Sequence, residues 1–266
     1  MRRILVTCAA FVLVLAACGG GDDEETAATT QPGRESHFTL YYLDGEHLRA
    51  TPATVRDDST PTDAIEALLA NEDGHPTEIP PGTELRAVLV VDRTATVDLS
   101  REFESGGGSA SMQARVAQVV YTLTQWSFVT RVTFELDGEP VESIGGEGVA
   151  AREVTRADLT NVLPPIFIDP PLRWASSPLS VAGSASVFEA NVSLRLEADG
   201  KTLAEGFATA AEGGPGRGDF EALLEFDVDE PTDATLVAFE RSAADASETK
   251  VVRVPVRLCP RGNTPC

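Results

Sequence analysis

Residues 85–99 read LRAVLVVDRTATVDL, two runs of alternating apolar residues, Leu85 to Val91 and Thr94 to Leu99, on either side of Asp92-Arg93. The alternation predicts a hairpin, although Asp92-Arg93 lacks the glycine of the commonest two-residue loops. Downstream of Gly106-Gly107-Gly108, the side chains of Met112, Val116, Val119, Val120 and Leu123 line one face of a helix, with Gln113, Arg115 and Gln118 turned elsewhere. Phe128 to Leu136 then alternates into another strand that ends at the turn Asp137-Gly138. Upstream, Phe38 to Leu43 reads as a strand, with Leu48 to Val55 as its partner across Asp44-Gly45. A helix should follow: Thr60 or Thr62 can cap it, Pro61 suits a first turn, and Ala64, Ile65, Leu68 and Leu69 recur at three- and four-residue steps. Strands in antiparallel order with two helices on one face make residues 37–160 an α+β domain.

From Pro164 onward the texture changes to short alternating strands with no helical period. Leu179 to Phe188, Asn191 to Ala198, Thr202 to Ala210, Phe220 to Val228, Ala234 to Glu240 and Lys250 to Leu258 are separated by Gly, Pro and Asp-Gly turns. That spacing predicts an all-β sandwich over residues 161–266. Pro164-Pro165 and Pro170-Pro171 should stiffen the joint, because proline fixes φ and favours extended backbone.

The amino terminus has the order of an export signal. Arg2 and Arg3 precede an apolar run from Ile4 to Ala17, and Leu15-Ala16-Ala17-Cys18 fits a lipobox. Residues 1–17 are therefore expected to be removed as a lipoprotein signal peptide, with Cys18 lipidated. The apolar run would span only about 21 Å as a helix, short of the roughly 30 Å hydrocarbon core, so an uncleaved anchor is disfavoured. Two or three acyl chains, at roughly 0.8 kcal/mol per buried methylene, would hold the protein on a membrane. Residues 18–36 combine Gly19 to Gly21, Asp22-Asp23-Glu24-Glu25 and a Thr/Ala/Gln/Pro stretch with almost nothing apolar to bury, which reads as a lipidated flexible tether. The rest of the chain is expected on the extracytoplasmic face of the cell membrane.

Composition narrows the partners. The 42 acidic and 21 basic residues give a formal charge of −21, and only Lys201 and Lys250 are lysines. There is no basic stripe to neutralise phosphates, so nucleic acid is a poor partner, and an anionic headgroup layer would be repelled. In an oxidising compartment Cys259 and Cys266, which enclose the turn-rich hexapeptide Pro260 to Pro265, are expected to pair and staple the C-terminal tail.

Specific residues carry a family resemblance. Ala64-Ile65-Glu66-Ala67-Leu68-Leu69, Ile79-Pro80-Pro81-Gly82-Thr83 and Val97-Asp98-Leu99-Ser100-Arg101-Glu102-Phe103 come in the order found in the GerMN domain of spore-germination and sporulation proteins. Val119 to Gln125 and Val132 to Gly138 continue the match. Residues 37–160 thus resemble GerMN, departing from it at Asn71-Glu72-Asp73-Gly74 and at Trp126-Ser127-Phe128. Residues 165–258 resemble the immunoglobulin-like domain that accompanies GerMN, through Ser177 to Ala185, Val187 to Val192, Asp199-Gly200, Leu203 to Gly206 and Gly218-Asp219-Phe220. The resemblance implies a lipid-anchored envelope protein that assembles or binds, and it brings no catalytic residues with it.

The residues that could carry chemistry point the same way. His37, His47 and His75 form no metal-binding motif, and Ser109 and Ser111 follow three glycines without a nucleophile elbow, as in a flexible loop. Asp98 and Glu102 lie close enough in sequence to act as paired carboxylates, but a strand followed by a Ser100 cap or a polar turn explains them more simply. Asp227, Asp229, Glu230 and Asp233 have the oxygens for Ca²⁺ without the spacing of an EF-hand. Asn191-Val192-Ser193 matches a glycosylation acceptor but reads as ordinary strand. Trp126 and Trp174 are the candidate stacking platforms for a glycan, and each is expected in the core. The reading is a non-enzyme with no metal or cofactor, whose partners are a membrane, through Cys18, and an envelope protein. A cell-wall glycan is the alternative partner.

Overall fold

A computed structural model describes residues 35–56, 59–146, 148–170, 172–262 and 266, without the side chains of residues 35–37 and 54–56. The expected signal peptide, Cys18, the tether up to residue 34 and the His37 side chain lie outside the described residues, whereas Glu35 and Ser36, read as the end of the tether, begin the first strand. No helix among them is long and apolar enough to cross a membrane.

The first domain begins with an antiparallel hairpin, β1 (Glu35–Asp44) and β2 (His47–Arg56), paired Leu43 to Leu48 across a turn in which Gly45 takes φ 61°. Every side chain from Phe38 to Leu43 is buried, so this strand is covered on both faces. α1 (Pro61–Ala70) starts at a capping box: the Thr60 hydroxyl accepts from the Asp63 amide at 3.3 Å, and the Asp63 carboxylate accepts from the Thr60 amide at 2.6 Å. The Thr60 hydroxyl also donates to the Asp63 carboxylate at 2.6 Å, and this bond, with the one from the Thr60 amide, lowers the Asp63 pKa. Ala64, Ile65 and Leu68 are its buried face.

β3 (Leu85–Val91) and β4 (Thr94–Leu99) form the hairpin read from the sequence, and Asp92 and Arg93 both take positive φ, 48° and 65°, as a type I′ turn requires. α2 (Ser109–Leu123) then carries the chain back to β5 (Arg131–Leu136). Because this helix is a crossover, β4 and β5 run parallel. The α+β class stands, but the sheet is mixed and not wholly antiparallel. β6 (Glu139–Pro140) completes it in the order β3-β4-β5-β6, and β7 (Ser143–Ile144) pairs with β8 (Val149–Ala150). Ala95, Val97 and Leu99 on β4 and Val132, Phe134 and Leu136 on β5 join the core with the α2 stripe.

Two further expectations about α2 are corrected. Ser109 and Ser111 are in its first turn and not in a loop. Arg115 and Gln118, expected away from the core, are buried. Arg115 donates to the carbonyls of Phe103, Ser105 and Gly106, each at 2.9 Å, and so fixes the glycine-rich segment before the helix. Gln118 donates to the Tyr41 carbonyl at 3.0 Å and accepts from the Thr77 hydroxyl at 3.1 Å and the Glu78 amide at 3.2 Å. A helical wheel shows polarity but not the backbone groups waiting to be satisfied inside.

The second domain is an all-β, immunoglobulin-like sandwich. β9 (Ile166–Ile168), β11 (Leu179–Ala185) and β14 (Gly218–Leu224) form one sheet, ordered β14-β11-β9. β10 (Trp174–Ser176), β12 (Asn191–Ala198), β13 (Lys201–Thr209), β15 (Thr232–Arg241) and β16 (Glu248–Cys259) form the other, ordered β10-β16-β15-β12-β13. β9 and β10 are too short to show a period. A disulfide joins Cys259 to Cys266, with Cα atoms 5.6 Å apart.

The joint is a strand packed into both cores. Ile166 and Ile168 lie in the sandwich core, whereas Phe167 between them lies in the core of the first domain. Arg217 reinforces the join by donating to the Ser184 carbonyl at 3.1 Å and to the Pro164 carbonyl. Gly183 on β11 lets β9 approach: a Cβ there would overlap the Phe167 carbonyl oxygen and lie 2.9 Å from Cζ of Phe220. Gly183→Ala should therefore destabilise the protein by about 3 kcal/mol, the upper end for overpacking. Chemical denaturation of both proteins measures it, and an unchanged midpoint would show that β9 yields without cost.

Candidate functional site

The hairpin β1–β2 faces residues 164–170 and 172–174 and β16 across a cleft of about 880 Å³. Its walls are largely apolar, with Leu48, Ile166, Leu172 and Val254 among them, yet four arginines line it: Arg49, Arg173, Arg253 and Arg257. Asp44, Asp169 and Asp233 are the lining acids, and Asp233 is paired with Arg257 at 2.7 Å. Burial raises the Asp169 pKa, against the pull of Arg156 and with a smaller push from Asp219. The cleft thus carries more guanidinium than carboxylate, in a chain of formal charge −21.

Two groups at the cleft keep buried polar atoms without a hydrogen-bond partner, Nη1 of Arg173 and Nδ1 of His47. The Arg173 guanidinium lies 5.0 Å above the Trp174 ring. Trp174 is 41% exposed, which corrects its expected place in the core; its strand, β10, lies at the sheet edge. Trp126 does pack on the first core, with ring centroids 6.4 Å from Phe38 and 6.3 Å from Phe128. Behind the cleft wall, Phe167 meets Tyr41 at 6.5 Å and Tyr121 at 6.2 Å, and the Arg156 guanidinium sits 4.7 Å from the Tyr121 ring centre.

The other candidates from the sequence are dispersed. Asp98 accepts from the Gly138 amide at 2.9 Å, while hydrogen bonding from Ser100 lowers the pKa of Glu102, so each carboxylate has its own structural partner. Ser100 itself makes no side-chain cap; its hydroxyl accepts from the Glu84 amide at 3.0 Å. Ser111 donates to Glu78 and accepts from Arg115 at 3.0 Å, which occupies the hydroxyl. His75 lies against Tyr42, with tilted rings whose centres are 4.7 Å apart. Among the described residues no group of three or more His, Cys, Asp or Glu is placed to hold a metal, Asp227, Asp229, Glu230 and Asp233 included. Asn191 and Ser193 lie on β12.

The comparisons with known proteins follow the same division. Residues 39–142 match the Germane model, described as sporulation and spore germination, and residues 170–247 match Gmad2, the immunoglobulin-like domain of bacterial spore germination. The chain carries a Germane domain followed by a Gmad2 domain. It is related to sporulation and germination proteins, and neither family is a known enzyme family. No curated protein matches it. Among solved structures, it is similar to the tandem GerMN domains of the sporulation protein GerM from Bacillus subtilis, at 16% identity and a TM-score of 0.43. That match covers 86% of this chain and 63% of the tandem, so the chain spans somewhat under two thirds of that structure. The first GerMN domain of GerM matches at 23% identity and a TM-score of 0.38, over 46% of this chain and 98% of that one. A putative lipoprotein from Clostridium perfringens matches at 22% identity and a TM-score of 0.35, over 48% and 93%.

The aromatic groups behind the cleft make alkaline titration a probe of the Germane domain. All three tyrosines have raised pKa values: burial pushes Tyr42 and Tyr121 up to about 12, and raises Tyr41 against the opposing charge of Arg156. In the unfolded chain each would ionise near 10.0. The stability they contribute is thus fully present below pH 10.0 and is lost as pH rises toward about 12. Ultraviolet titration should show no tyrosinate in the folded protein at pH 10.0, where the denatured protein is half ionised. Tyrosinate absorbance in the folded protein at that pH would contradict the packing described.

Proposed function

We propose that this protein is a lipid-anchored, extracytoplasmic binding or scaffolding component of the bacterial cell envelope that performs no chemistry itself. The lipobox ending at Cys18 supports the anchor. Its two germination-related domains support an envelope role. The observation that carries the binding function is the cleft, where a concave, largely apolar surface holds a few convergent polar groups. Asp98, Glu102 and Ser111, by contrast, are engaged with neighbouring turns and loops. The partner is an envelope protein, which the protein reaches while held at the membrane surface.

A cell-wall glycan is the second reading, favoured by the exposed ring of Trp174 at the cleft. Binding to purified cell wall separates the two.

Anchoring and binding are tested together in the producing cells. Globomycin should retard processing, so that the protein migrates more slowly in electrophoresis, and Cys18→Ala should release it from the membrane fraction. Crosslinking in intact cells should recover a reproducible protein partner that is lost with Cys18→Ala. Unchanged mobility together with a membrane-bound Cys18→Ala protein would refute the anchor, and crosslinking that repeatedly yields no protein would refute the scaffold.

A further inference from the structure

β16 has a strand neighbour on both sides only near its end. β10 pairs with it over Arg257 to Cys259, in parallel, and β15 covers its other side. From Glu248 to Val256 the side away from β15 has no strand partner among the described residues, and that stretch from Val251 onward lines the cleft.

The direction of its backbone groups follows from one hydrogen bond. The Arg257 amide donates to the Arg173 carbonyl at 2.6 Å, so at Arg257 the backbone points away from β15. Strand groups alternate with period two, and the β15 register is unbroken from Asp233–Arg257 to Val237–Arg253. Hence the amide and carbonyl of Arg253 and the carbonyl of Pro255 point to the open side as well. Proline withholds one donor there, which is where an edge strand tolerates it.

We propose that this edge receives an extended peptide segment of a partner protein, added as a strand beside β16, in which acidic residues alternate with apolar ones. The inference deepens the protein-binding function and rests on it. The backbone of Arg253 and the Pro255 carbonyl supply main-chain hydrogen bonds, the affinity element of strand addition. Side chains of an added strand alternate between two faces. One set meets the apolar lining, and the other reaches the guanidinium groups of Arg49, Arg173 and Arg253. Arg257 is already paired with Asp233. Arg173, which lines the cleft, keeps one buried Nη1 without a partner, so its guanidinium has donor capacity that the protein itself leaves unused. The charge preference is local, because the rest of the protein is acidic.

The test uses the full lipidated chain in detergent and a fluorescent peptide that alternates valine and glutamate. Anisotropy should show saturable binding that weakens about tenfold when the amides facing β16 are N-methylated, since each loses a main-chain hydrogen bond. Arg253→Glu should weaken binding by about as much and Arg253→Lys much less, with unfolding midpoints unchanged. Binding of an alternating valine and lysine peptide equally well, indifference to N-methylation, indifference to Arg253→Glu, or no saturable binding would each overturn the inference. Displacement by wall glycan fragments with no effect of N-methylation would assign the cleft to a glycan instead. A photoreactive residue in place of Val251, tested in cells, separates this inference from the broader function. If it captures nothing while one in place of Leu89, an exposed residue of β3 away from the cleft lining, captures a protein, only the strand-addition site falls; if neither does, the binding function falls too.

Discussion

The architecture depends on three consecutive side chains. In a strand, neighbouring residues point to opposite faces, and in Ile166-Phe167-Ile168 one face belongs to each domain. Removing Phe167 from the first core or the isoleucines from the second would leave apolar surface exposed on either side, so the strand fixes both cores at once. Gly183 and Arg217 complete that constraint from β11 and from the turn before β14, one by leaving space and the other by satisfying carbonyls that the crossing leaves bare. The walls of the cleft come from different domains, and their separation follows from this shared strand.

Within the Germane domain a second constraint is polar. Gln118 joins α2 to the Tyr41 carbonyl of β1 and to the segment around Glu78, and Arg115 gathers three carbonyls ahead of the same helix. Burying an amide or a guanidinium costs several kcal/mol unless its hydrogen bonds are made, so these side chains specify one arrangement of the segments they touch. They also explain why the glycine run before α2 does not behave as an open loop, although its composition suggests one.

How far the sequence revealed this depends on the range of the interaction. The Thr60 cap, Pro61, the apolar stripe of α2 and the turn at Asp92-Arg93 act within a few residues, and each appears in the structure where the pattern placed it. The alternating runs of the sandwich emerge as β11 to β16 for the same reason. What stayed hidden was set by partners distant in sequence. Parallel pairing of β4 with β5 depends on the path of α2 across the sheet. The inward turn of Arg115 and Gln118 depends on carbonyls supplied by other segments. β9 and β10, three residues each, are strands only because β11 and β16 pair with them.

The cleft was the least legible feature, because Arg49, Arg173, Arg253 and Arg257 come from three separate stretches of sequence and no motif connects them. Overall charge pointed the other way: a formal −21 describes a surface that repels anions. At roughly 0.1 M salt, however, charges are screened beyond about 10 Å, so distant carboxylates contribute little inside a cleft whose nearest groups are guanidinium. An acidic segment approaching this protein would gain nothing from long-range attraction. Its discrimination has to arise at contact, from the geometry of the edge and the arginines beside it, and contact is where electrostatic complementarity governs specificity.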